Sequence, residues 1–245
     1  MHVLTLSLDT SSPAGSVAIL RDEITLGVIS TRAEENYSSR IFRHLDFLLG
    51  DLTLKLDEFD LFAVSAGPGS FTGLRVGLTA AKGWAEVYRK PVVGVSALEA
   101  VAFQARTGST VLVPALDARR GQIYFGMYRT TTTGHALDGE EFVVTPEEFA
   151  AKLGALANDG GAPRGDGSDG FRIVTPDASV VAAVSRLTLN LTAGFAGLEI
   201  VSSVLAPSIG RIAHARALRG QVSDALTLEA NYVRRTDAEM RWKDG

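Results

Sequence analysis

The chain has no cysteine among its 245 residues. That removes disulfides, thiolate metal ligands and cysteine nucleophiles together, and it fits a reducing compartment. Excess charge of one sign is also missing. Lys and Arg number 24 against 28 Asp and Glu, a formal net charge of -4, which argues against strong non-specific nucleic-acid binding by this chain alone. No apolar run is long enough for a membrane span, since the stretch 180–204 is broken by Arg186, Asn190 and Glu199. The N-terminus meets Asp9 with no basic stretch and no usable apolar stretch before it, so no signal peptide is expected. Metal spacing is lacking too: His2, His44, His135 and His214 stand far from one another, so no metal site is expected. A Gly-x-Ser-x-Gly nucleophile turn is absent. What remains is an ordinary globular composition, 46% apolar and 21% charged, with room for one large domain or two small ones.

The chain is organised around residues 61–97. The apolar run Leu61–Ala66 reads as a buried strand, and Gly67-Pro68-Gly69-Ser70 as a turn. Ser70 or Thr72 can cap the helix that follows. That helix carries Gly73 and Gly77 on one face and Gly83 beyond, each costing about 1 kcal/mol against Ala. A smooth face lets another backbone approach. It predicts either close packing on the chain's own sheet or a partner helix. The turn has neither dinucleotide-fingerprint spacing nor a Walker ending.

Around this stretch the elements fall into two similar series. Residues 3–29 read as three strands in an antiparallel meander. A helix over Asn36–Leu49 follows, at about 100° per residue. Ile41, Phe42, Leu45, Leu48 and Leu49 share its core arc, with Tyr37, His44 and Phe47 on a second arc. Next come the strand at Leu61, the glycine-bearing helix, the strand at Val92 and a helix over Ala97–Arg106, with Ser96 and Glu99 as a capping box. The order then restarts: strands over Val111–Leu116, Gln122–Arg129 and Glu140–Val144, a helix opened by Thr145-Pro146-Glu147-Glu148, and a Gly/Asp-rich loop over Ala157–Gly170. A strand at Phe171, a helix over Ala178–Leu191, a strand at Leu198 and a helix over Pro207–Arg219 complete it. The predicted fold is α/β, a duplicated actin-like (ASKHA, ribonuclease-H-like) pair of lobes with mixed sheets and flanking helices. The lobes are 1–105, and 106–245 with the C-terminal helix and tail.

In such a fold Asp9 and Asp117 end equivalent strands, each entering a hairpin that can hold phosphate or a cation. Here Asp9-Thr10-Ser11 has no glycine between acid and hydroxyl, and Asp117-Ala118-Arg119-Arg120 places two Arg where phosphate would approach. Asp9, Thr10, Ser11, Asp117 and Arg119 are therefore weak candidates for ligand contact, and no cofactor is expected. The alternative is an actin-like-fold enzyme with its own nucleotide hydrolysis or kinase activity.

Leu8-Asp9-Thr10-Ser11, Tyr37-Ser38, Ala66-Gly67-Pro68-Gly69-Ser70-Phe71-Thr72-Gly73-Leu74-Arg75-Val76-Gly77, Val93-Gly94-Val95-Ser96 and Leu116-Asp117-Ala118-Arg119-Arg120-Gly121-Gln122-Ile123-Tyr124 together closely resemble the bacterial TsaB (YeaZ) family. Pro207–Ala215 and Tyr232-Val233-Arg234 resemble it more weakly. The resemblance implies a cytoplasmic, non-catalytic scaffold. It pairs with a TsaD-like threonylcarbamoyltransferase subunit, is joined by a TsaE-like ATPase, and reaches tRNA indirectly through the complex. Self-association as a homodimer and no membrane partner are also implied. The family's pairing surface maps to Tyr37, Ile41, His44, Leu45, Phe47 and Leu48 on one helix and Gly73, Leu74, Gly77 and Leu78 on the other. The chain departs from the family pattern at Tyr37, where His is usual, at Arg43, where Pro is frequent, and at Ala230, where Pro is usual.

Overall fold

The computed structural model describes residues 2–32, 37–106, 111–132, 134–158, 170–187 and 195–233, with the side chains of 37–39 and 156–158 left aside. The elements are β1 (Leu4–Asp9), β2 (Ser16–Arg21), β3 (Ile24–Ser30), α1 (Tyr37–Leu52), β4 (Leu61–Gly67), α2 (Phe71–Tyr88), β5 (Val92–Ser96), α3 (Ala97–Ala102), β6 (Val111–Arg119), β7 (Gln122–Phe125), β8 (Tyr128–Thr131), β9 (Gly134–Leu137), β10 (Phe142–Val144), α4 (Pro146–Asn158), β11 (Phe171–Thr175), α5 (Ala178–Leu187), β12 (Phe195–Ile200) and α6 (Ala206–Ala217). They form two compact units, one from 1–100 with 204–245 and one from 101–203.

The sheet of the first unit runs β3-β2-β1-β4-β5. Its first three strands are antiparallel, and β1, β4 and β5 are parallel. Every residue of β1 is buried, because the sheet is covered on both faces and alternate side chains enter different layers. Leu4, Leu6 and Leu8 join Ile41, Leu45 and Leu48 of α1 and Leu74, Leu78 and Ala81 of α2 in one core. On the opposite face lies α6. Ser7 Oγ donates to the carbonyl of Ala206 at 2.7 Å, and the Ala206 amide donates to Ser16 Oγ at 3.1 Å. Approach is close because the helix presents small residues; a β-carbon on Gly210 would overlap the Leu20 side chain. Arg216 fixes the far end, donating to Gly94 O at 3.0 Å and to both carboxylate oxygens of Glu99 at 2.8–2.9 Å.

The expected boundary at residue 105/106 is thus corrected. The C-terminal helix belongs to the first unit, because its apolar face is buried on β1, β2 and β4. The segment beyond it stays with that sheet: Val92 and Ser223 exchange backbone hydrogen bonds, Leu228 is buried, and the Asn231 amide donates to Ala66 O at 2.7 Å.

The second unit repeats the plan. Its sheet runs β10-β7-β6-β11-β12, with β8 on β6 and β9 on β8. The expected strand Gln122–Arg129 is broken at Gly126–Met127. Both pieces pair with β6, β7 at Ala115–Arg119 and β8 at Val111–Leu112. The strand β9 was not expected from the sequence. The helix expected over Ala97–Arg106 ends at Ala102. Most of the loop expected over Ala157–Gly170, and the last residues of the helix expected over Ala178–Leu191, lie outside the described residues. Phe125 anchors the core, edge-on to Phe149 at 4.9 Å and stacked on Phe142 at 5.2 Å.

Candidate functional site

Ser70 opens α2. Its Oγ accepts from the Gly73 amide at 3.3 Å, as an N-cap should. The glycine stripe behind that cap faces inward. A β-carbon on Gly69 would strike the Ser11 carbonyl, one on Gly73 the Thr10 carbonyl, and one on Gly77 the Thr10 hydroxyl. The smooth face therefore serves close packing of α2 on the β1–β2 turn of the same unit. Gly73 and Gly77, expected as partner contacts, instead meet this turn of their own unit, and Ile41, Leu45, Leu48, Leu74 and Leu78 are buried in the unit's own core.

The outer surface of α1 and α2 carries different residues. Phe47 is 64% exposed, Phe42 50% and Val87 71%. Phe42 stands edge-on to Trp84 at 6.2 Å, and Trp84 in turn lies against buried Phe62 at 5.9 Å. Both helices thus carry exposed apolar groups, and Phe42 stands over an aromatic base rooted in the core. His44 sits at the edge, half-buried, its Nε2 3.3 Å from Thr31 Oγ1. Burial lowers its pKa, helped by the charges of Arg40 and Arg43. The side chain of Tyr37 lies outside the described residues. Phe42 and Val87 were not among the expected contacts. Phe42 falls on the apolar arc of α1 and reads as core; the signal against that is its place at the very edge of the arc, at about 100° per residue.

The Asp9 turn is closed. Asp9 is fully buried, and its Oδ1 accepts from the Ser11 amide at 2.9 Å and the Ser11 hydroxyl at 2.6 Å. Burial pushes its pKa up to about 6 against the pull of those hydrogen bonds. The Ser11 carbonyl accepts from the Ser70 amide at 2.8 Å. Asp9 Oδ2 and Thr10 Oγ1 find no hydrogen-bond partner among the described residues. The Ser11 amide, one of the turn's backbone donors, is thus already bonded to Asp9. In the second unit the Asp117 amide donates to Asp177 Oδ2 at 2.8 Å, and Asp117 Oδ1 accepts from the Arg119 amide at 2.7 Å. Among the described residues no three His, Asp or Glu side chains are grouped to hold a metal ion, and no helix is long and apolar enough to cross a membrane.

Two units with one strand order, each with helices flanking a mixed sheet, define the duplicated actin-like class. The fold is similar to that of an uncharacterized protein with similarity to peptidase YEAZ from Pseudomonas aeruginosa, at TM-score 0.72 and 24% identity over 95% of this chain and 100% of that one. In sequence, the family described as "TsaD: tRNA N6-adenosine threonylcarbamoyltransferase" matches residues 18–196. The tRNA threonylcarbamoyladenosine biosynthesis protein TsaB of Escherichia coli is 32% identical over 161 residues, 63% of this chain and 68% of that protein. Its Bacillus subtilis counterpart is 36% identical over 124 residues, 51% of this chain and 54% of that protein. The chain belongs to the TsaB (YeaZ) family, within the wider family that the TsaD description names. It spans about half the length of the Bacillus subtilis and Haemophilus influenzae relatives it matches.

Proposed function

We propose that this chain is a non-catalytic scaffold subunit in tRNA threonylcarbamoyladenosine biosynthesis, pairing with and supporting a TsaD-type subunit through the outer face of α1 and α2. Family membership supports the pathway. The observation that carries the pairing is the exposure of Phe42 and Phe47 on α1 and of Val87 on α2, with Phe42 edge-on to Trp84 across the two helices. Large apolar side chains grouped on a rigid two-helix surface are the usual anchor of a protein interface. The closed Asp9 turn supports the non-catalytic part, since the Ser11 amide is already bonded. The same face suits a second copy when the TsaD-type subunit is absent. A TsaE-like ATPase then joins the pair, and tRNA is reached through the complex, in the cytoplasm.

The test is light scattering on a sizing column, for this chain alone and mixed with the TsaD subunit of the same source. A one-to-one complex is expected with the native chain. It should be lost with the double variant Phe47→Glu, Val87→Glu, whose thermal melt stays within a degree or two because both side chains are exposed. A complex that survives the double variant, or no complex with the native chain, would overturn the reading. The rival, a chain that turns over nucleotide itself, predicts magnesium-dependent ATP binding lost in Asp9→Ala.

A further inference from the structure

The hairpin between β6 and β7 is the most strained backbone in the second unit. Arg119 pairs with Gln122, leaving Arg120-Gly121 as a two-residue loop. Three successive residues are left-handed: Arg119 at φ 63°, Arg120 at φ 53° and Gly121 at φ 71°. A two-residue loop with both φ positive favours Asn-Gly or Gly-Gly. The preceding position, where the pairing register shifts, favours Gly. Both of the non-glycine positions carry Arg, whose β-carbon disfavours this conformation. Elsewhere among the described residues, left-handed non-glycine residues occur singly, at Asp22, Thr53 and Arg89.

Strain of this kind persists only where the surroundings over-determine it, and here they do. The Asp117 carboxylate accepts from the Arg119 amide, and the Asp177 carboxylate accepts from the Asp117 amide. Two acidic groups thus brace the base of the turn through the backbone, while both Arg residues at its tip are exposed. We infer that this turn is a phosphate contact: it presents Arg119 and Arg120 as adjacent guanidinium forks to the sugar–phosphate backbone of the tRNA. Planar forks match phosphate oxygens bidentately. A net charge of -4 leaves such a turn as a local contact within a complex rather than a general nucleic-acid surface. The choice of tRNA as the phosphate source rests on the reading proposed above.

The experiment is a fluorescence-anisotropy titration of labelled tRNA at several salt concentrations, run with this chain alone and with its complex with the TsaD subunit. The double variant Arg119→Gln, Arg120→Gln should weaken binding about tenfold and lower the slope of log affinity against log salt by about one per Arg. Arg119→Lys with Arg120→Lys should restore the slope. Arg120→Asn should raise the melting temperature by about 2 °C while weakening tRNA binding, which a purely structural role would not do. Affinity and slope unchanged in the Gln variant, or no tRNA binding by the native chain in either form, would overturn the assignment. So would loss of the TsaD subunit from the Gln variant on a sizing column, because the pair would then contact protein. Failure of the native chain to pair overturns the scaffold reading, and with it the choice of tRNA; a native complex that binds tRNA with affinity and slope unchanged in the Gln variant overturns the turn assignment alone.

Discussion

Gly77 of α2 lies against Thr10 of the β1–β2 turn, so closely that a β-carbon on the glycine would overlap the threonine hydroxyl. Gly73 stands in the same relation to the Thr10 carbonyl one helical turn earlier. The helix and the turn are therefore one packed unit, and the position of α2 is set by what residue 10 allows.

Gly77→Leu should destabilise the protein by about 1–3 kcal/mol through overpacking, read as a lower urea midpoint. Gly77→Ala should cost less in a Thr10→Ala background than in the native one. A double-mutant cycle should give a coupling of about 1 kcal/mol, as expected for residues in contact. Additive effects would mean that the turn moves away freely. Loss of partner binding in Gly77→Leu would report a displaced α2 rather than a lost contact.

Asp9 makes stability depend on pH with a defined sign. Its folded pKa is raised to about 6 from 3.8, so the neutral form is favoured in the native state. Its contribution is fully present below about pH 3.8 and lost as pH rises through about 6. The difference is on the order of 3 kcal/mol at most. Asp9→Asn keeps an oxygen for the Ser11 amide and hydroxyl and carries no charge. It should be more stable than the native chain at pH 7 and equal to it near pH 4, in urea unfolding across that range. A gap that stays constant with pH would show that Asp9 titrates normally.

Much of this was legible from local pattern. Alternation in Leu4–Asp9, the Ser70 and Thr145 caps and the apolar arc of Ile41, Leu45 and Leu48 depend on residues close in sequence, and the structure places them as read. The glycine stripe was legible as a close approach but not as to what approaches it, because Thr10 is distant in the chain. The position of α6 was illegible for the same reason. An amphipathic helix with small residues fits either sheet, and Ser7 and Ser16, which hold Ala206, look like ordinary strand residues. Phe42 shows the converse limit: periodicity assigns it to the core, while the structure leaves it half exposed at the edge of the arc, edge-on to Trp84 of the other helix.

The Arg216–Glu99 pair should matter more than a surface ion pair. Glu99 is 12% exposed and Arg216 29%, and the same guanidinium also holds the Gly94 carbonyl. Arg216→Ala takes the bidentate guanidinium away from a nearly buried carboxylate and should cost about 2–3 kcal/mol. Arg216→Lys should recover only part of this, since an ammonium cannot serve the carboxylate and the carbonyl as a planar fork does. Chemical denaturation of the two variants and of Arg216→Met with Glu99→Gln would check it, the double variant falling closer to native than Arg216→Ala.

The unit composed of 1–100 and 204–245 predicts what truncation does. A fragment ending at residue 105 keeps all five strands of the first sheet but loses α6. Ala18 and Leu20, which cluster with Ala206, would face water, and the hydroxyls of Ser7 and Ser16 would lose the backbone they hold. Exposing apolar side chains of this size costs about 1.5–3 kcal/mol each for the larger ones, a large share of the stability of a small domain. The fragment should show no cooperative thermal melt and should aggregate. Replacing residues 106–203 with a flexible linker keeps α6 and the segment through Asn231, and should restore a cooperative melt. A fragment of 1–105 that melts cooperatively by itself would mean that the sheet is stable with one face open, and that α6 caps it without completing its core.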